Sequence, residues 1–102
     1  MANKDHLALL MQGVPIWNEW RRNYPETTPD LSDANLEDMY LENANFEGAN
    51  LSGANLSRCL LRWARFNGAI LNEVILDEAD ITATVLEKIQ KQQKLKKLKK
   101  QH

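Results

Sequence analysis

Two histidines, one cysteine, fourteen Asp or Glu and thirteen Lys or Arg are the raw material for acid–base, nucleophilic or metal chemistry in this chain. Their placement argues against each. His6 and His102 stand at opposite termini, so no histidine pair joins Cys59 in a metal-ligand pattern. Gly48, Gly53 and Gly68 are spaced apart rather than gathered into a phosphate-cradling loop. Glu37, Asp38, Glu42 and Glu47 read as outward, solvated carboxylates, with nothing to bury two of them together. The expectation is a chain with no catalytic residue, no cofactor and no metal, and not an enzyme. Another kind of chemistry remains in "SRCLLRWARFNG", residues 57–68. Trp63, Leu60, Arg58, Arg62 and Arg65 crowd together there, and Tyr or Trp with Arg around an exposed Leu is the composition of a protein-interface anchor.

The elements that would position these residues follow from a period. From Leu31 a large apolar residue recurs every five positions through Leu36, Leu41, Phe46, Leu51, Leu56, Leu61, Phe66, Leu71, Leu76, Ile81 and Leu86. Two residues before most of them sits a small one: Ala34, Ala44, Ala49, Ala54, Cys59, Ala64, Ala69 or Ala79. Five matches neither the helical period of 3.6 nor the strand period of 2. A chain that turns every five residues and points one large and one small side chain inward stacks as a solenoid. Cys59 falls in the small column, which makes it a small buried hydrophobe rather than a nucleophile.

ANLED at 34–38, ANFEG at 44–48, ANLSG at 49–53, ANLSR at 54–58 and ADITA at 79–83 resemble the pentapeptide-repeat family, with its motif A(D/N)LXX. The stretch "LLMQGVPIWNEWRRNYP" also looks like the helical leader of cyanobacterial and other bacterial members. The resemblance implies an all-β solenoid: a right-handed quadrilateral β-helix of about three coils, four pentapeptides to each, capped by N-terminal helices and a C-terminal helix. The expected divisions are 1–28 for the N-terminal cap, 29–86 for the repeats and 87–102 for a basic helix or tail. Residues twenty apart would share a column, placing Phe46 beside Phe66 and Tyr40 against Leu60. Leu60, Arg62, Trp63 and Arg65 would point outward, with Ile70 and Ile75 extending the patch. The expected partner-binding set is therefore Tyr40, Arg58, Leu60, Arg62, Trp63 and Arg65, for a protein partner or a second copy of the chain.

The ends carry their own signals. Asn3 or Asp5 caps a helix carrying Leu7, Leu10 and Met11 and ending at Gly13. Pro15 opens a second helix, in which Ile16, Trp20 and Tyr24 share a stripe with Trp17 beside them. Residues 82–100 read as a third helix, with Thr82 or Thr84 as N-cap and Val85, Leu86 and Ile89 on one side.

Charge is divided along the chain. The net charge of −1 combines 6 basic and 13 acidic residues over 1–86 with seven lysines and one Glu over 87–102. Lys94, Lys96, Lys97, Lys99 and Lys100 offer a second expected function, tethering to an anionic surface of lipid, nucleic acid or acidic protein. In the resembling family, long, acidic, dimeric members mimic DNA and occupy the DNA site of gyrase. Three coils at ~4.8 Å span only about 14 Å, or about four base pairs, too short for a topoisomerase inhibitor of that kind. A single cysteine excludes an intramolecular disulfide, and the apolar run Leu7–Met11 is too short for a membrane span. The expected location is the cytoplasm, with peripheral membrane contact open and nucleic acid disfavoured.

Overall fold

The structure, a computed structural model, describes residues 1–100, the last of them by backbone alone. The Lys100 side chain and His102, both named above, lie outside the described residues. Each five-residue unit is one extended residue followed by a corner. Where the extended residue is Asn or Asp, its side-chain oxygen accepts from the N–H two positions on, as in Glu37 to Asn35 (3.2 Å), Ser52 to Asn50 (3.0 Å) and Thr82 to Asp80 (3.2 Å). The carbonyl of the large apolar residue then accepts from the small residue three places later, for example Ala49 to Phe46 at 3.0 Å and Ala64 to Leu61 at 2.9 Å. The second corner residue takes a positive φ at every turn from Asp33 to Ala83. This is type II turn geometry, and it accounts for Gly, Asn and Asp at those positions.

The corners bring the chain back on itself every twenty residues. Parallel bridges join 30 to 50 to 70, 35 to 55 to 75, 40 to 60 to 80, and 45 to 65. These columns define four sides: 29–48 and 49–68 form two full circuits, and 69–83 forms three sides of a third. Leu31 N–H donates to Asn50 O at 2.8 Å and Asn50 N–H to Pro29 O at 2.9 Å, and the pattern repeats around the circuit. The all-β expectation is met only by isolated bridges, with no continuous strand among the described residues. A corner every five residues leaves one pairing residue per side, too few for a strand.

The large residues at the five-residue period fill the interior. Leu31, Leu36, Leu41, Phe46, Leu51, Leu56, Leu61, Phe66, Leu76, Ile81 and Leu86 are buried, while Leu71 is partly so. Phe46 and Phe66 stack at 5.2 Å between ring centroids. The small column of Ala44, Ala49, Ala54 and Cys59 lies fully buried beside them.

Helices close both ends. α1 (Lys4–Met11) is capped by Asn3, whose side chain accepts from the Asp5 and His6 amides. Gly13, at φ 106°, joins it to α2 (Val14–Asn23). Of the expected Ile16–Trp20–Tyr24 stripe, only Trp20 packs against the core. Ile16 and Tyr24 are exposed, and Trp17 is the buried residue, with Trp20 and Arg21 beside it. The helix is rotated because the Trp17 indole N–H reaches Asn45 O at 2.9 Å, a bond that no residue of the other stripe makes. Met11 is likewise exposed.

α3 (Leu86–Lys100) begins later than expected. Thr82 turns its hydroxyl to Asp80, while Thr84 Oγ1 accepts from Leu86 N–H and Glu87 reaches back to Ala83 N–H. Leu86 is buried and Ile89 half-buried, whereas Val85 is exposed. Gln90 and Gln93 donate to the Leu76 and Val74 carbonyls at 3.3 and 2.9 Å, partnering backbone at the end of the last circuit.

Candidate functional site

One side of the repeat body, built on the 40–60–80 column, departs from the local rules at three places. The slot that holds Asn or Asp in six of the eleven repeats carries Tyr40 and Leu60 here, as it carries Arg65, Ile70 and Ile75 on the other sides, and these give up the side-chain bond to the amide two residues on. The left-handed corner position carries Trp63 at φ 58°, the only aromatic with positive φ among the described residues. A bulky side chain in that region is conformationally costly, and Gly or Asn would relieve it. Tyr40 and Leu60 are bridge partners, and Trp63 stands at the corner that follows Leu60. Tyr40 is 77% exposed and Trp63 58%, with Leu60 half-buried between the bridges to Tyr40 and Asp80. α3 borders this side at its Asp80 end, where Glu87, Gln90 and Lys91 line a depression with Asp80 and Thr82, and Tyr40 and Trp63 stay exposed.

The arginines are tied down by acids on neighbouring circuits. Arg58 bonds Asp38 at 2.8 Å and also Glu37, which in turn accepts from Asn55 at 2.9 Å. Arg62 bonds Asp80 at 2.7 Å, and Arg65 lies 3.7 Å from Glu47. Asp38 first, then Glu37, pushes the Arg58 guanidinium further up from its ordinary value. The Thr82 hydroxyl, then Arg62, holds the Asp80 carboxyl below its ordinary value. Glu37 and Glu47, expected to be free and solvated, are half-buried partners of these arginines. The result is a small apolar centre within a charge-compensated rim. Ile70 does not extend it, since the 30–50–70 column lies two sides away, and Ile75 sits on the adjoining side.

The remaining candidates are placed elsewhere. Cys59 is fully buried, its thiol donates to Leu36 O at 2.8 Å, and burial pushes its pKa up, which disfavours the nucleophilic thiolate. No group of His, Cys, Asp and Glu that could hold a metal ion occurs among the described residues. On α3, Leu95 and Leu98 are exposed beside Lys94, Lys96, Lys97 and Lys99, and Lys97 lies 3.5 Å from Asp77. No described helix is long and apolar enough to cross a membrane.

Four residues at the N-terminal end have roles that periodicity did not reveal. His6 Nδ1 accepts from Asp30 N–H at 3.0 Å, and Asn18 accepts from Asn45 N–H at 2.8 Å while donating to Asn43 O at 3.0 Å. Trp17 and Arg21 donate to the Asn45 and Glu47 carbonyls. Burial lowers the Arg21 guanidinium from its ordinary value. The available signal was polar residues flanking Trp17 on a helix that must cover a ring of unpaired backbone.

A family model for pentapeptide repeats matches residues 30–68 and 59–89, in eight copies, over the same stretch that forms the twenty-residue circuits. The chain belongs to the pentapeptide-repeat family. Repeat proteins of this family are generally non-enzymatic. No curated protein and no solved structure matches this pentapeptide-repeat chain.

Proposed function

We propose that this pentapeptide-repeat protein is a non-catalytic docking module. Its repeats wind as a right-handed quadrilateral β-helix of about three coils, and a protein partner or second copy binds the side bearing Tyr40, Leu60 and Trp63, with Arg58, Arg62 and Arg65 as the rim. The observation that carries this reading is Trp63: a large aromatic in the left-handed region, more than half exposed, where the turn favours Gly or Asn. Local rules broken without a packing gain mark functional positions, and Trp and Arg dominate binding energy at interfaces.

Trp63→Ala tests it. The variant should unfold within about 1 kcal/mol of wild type, since removing a half-exposed side chain forfeits little burial. Partner recovered from the native host on the immobilised protein, or self-association by sedimentation, should fall by about tenfold or more. A loss of several kcal/mol of stability with partner recovery unchanged would make Trp63 part of the core cover and remove the site.

A further inference from the structure

The geometry points to a β-augmentation edge: we infer that the rung 35–42 of the first circuit pairs with a basic segment of a partner protein that is extended along each side and turns at the corner between them. The inference deepens the docking reading by giving the partner a form and a charge.

The register shows which backbone groups should face a preceding circuit. Asn50, Asn55, Leu60 and Arg65 each donate N–H to the circuit before them, and their carbonyls accept from it. Twenty residues earlier, Asp30, Asn35, Tyr40 and Asn45 hold the same orientation with no circuit beneath. The N-terminal segment fills that missing rung on two of the four sides. Asp30 N–H meets His6 Nδ1, and Asp30 O accepts from Asn3 N–H at 2.9 Å. Asn45 N–H meets Asn18, and Asn45 O meets the Trp17 indole. On the two sides between, Asn35 and Tyr40 have neither N–H nor C=O bonded within the described residues, and the Glu37 and Glu42 carbonyls are likewise unpaired. Exposed donors and acceptors in bridge register, one pairing residue to a side, are a template for one more rung that turns at the corner as the chain's own circuits do.

Two observations select the occupant. The first circuit, 29–48, contains six acidic residues and no Lys or Arg. Glu37, Asp38 and Glu42 stand along the open sides, and Arg58 is bound to the first two. A cationic segment therefore fits, and an apolar residue in it would continue the Tyr40–Leu60 column. The second observation is steric. α1 and α2 pack Leu10 and Trp17 against the core beneath the ring. A helix is about 10 Å across, about twice the ~4.8 Å rung spacing. The step beside them admits an extended chain but holds the flat end of a second copy away.

The test uses the full chain and an N-acetylated, C-amidated octapeptide of Lys and Val with Asn-Gly at its centre to turn the corner, read by amide hydrogen exchange. In the free protein the Asp30 and Asn45 amides should be protected and those of Asn35 and Tyr40 should not. Saturating peptide should slow Asn35 and Tyr40 by about tenfold or more. The same peptide N-methylated at alternate residues, which cannot pair, should have no effect, and a Glu/Val peptide should have far less. Tyr40→Pro deletes an N–H that bonds nothing in the chain and should abolish the protection at Asn35, whereas Tyr40→Val should retain it. Equal protection by the N-methylated or the Glu/Val peptide would overturn the proposal. So would no gain at Asn35 and Tyr40, or a peptide-free dimer already protecting them. If Trp63→Ala abolishes partner recovery while the Lys/Val peptide fails, the docking face stands and the edge falls. If the peptide protects the edge while Trp63→Ala recovers its partner normally, the edge stands alone.

Discussion

Asn18→Ala probes whether side chains of α2 substitute for a missing rung. Asn18 makes two bonds to the first circuit, accepting from Asn45 N–H at 2.8 Å and donating to Asn43 O at 3.0 Å. The first is partly buried, so its loss costs about 1 kcal/mol. The second is exposed, water replaces much of it, and about 0.5 kcal/mol is a fair figure. Alanine is the better helix former by about 0.5 kcal/mol, which offsets part of the sum. The net expectation is a destabilisation of about 1 kcal/mol, or about 4–8 °C in Tm for a chain of this size. Thermal unfolding followed by circular dichroism measures the shift. Hydrogen exchange at Asn45 localises it, and that amide should become as fast as the unpaired one at Tyr40. A Tm unchanged within a degree, with Asn45 still protected, would refute the idea that α2 stands in for a rung.

Two further outcomes follow from titratable groups. Asp80 is held below the ordinary aspartate value in the folded chain. Its stabilising contribution is therefore complete above the unfolded value of about 3.9 and is lost as pH falls through the lower folded value. Asp80→Asn should flatten the decline in urea midpoint below about pH 4, and an unchanged acid profile would discount the Thr82–Asp80–Arg62 contacts. Cys59 should resist a thiol reagent such as Ellman's in the native state and react at once in denaturant, because burial both shields the thiol and raises its pKa. Rapid native labelling would show the interior to be open there.

The repeat body was legible in the sequence because its cause is local. Each corner draws on its own five residues: Asn or Asp caps the turn in six of the eleven repeats, a mostly small residue closes it, and Gly, Asn or Asp takes the positive φ in six. The five-residue spacing marks the inward positions, while the pairing of Phe46 with Phe66 and the outward character of Tyr40, Leu60 and Trp63 came from the resemblance to the pentapeptide-repeat family, with its four repeats to a coil. What the count could not supply was anything depending on two elements meeting. Rotation of α2 about its axis was set by the Trp17 indole finding Asn45 O, so Ile16 and Tyr24 faced solvent despite their helical spacing. Arg58, Arg62 and Arg65 were legible as a basic cluster, but their pairing with Asp38, Asp80 and Glu47 needed the twenty-residue stacking to bring those acids alongside. Local turn chemistry thus determined the circuits and which side chains leave them. Only the packing of helices on the open rings decided which backbone edge was closed by His6, Asn18 and Trp17, and which stayed unpaired beside Tyr40, because a helix covers part of a ring and periodicity carries no information about which part.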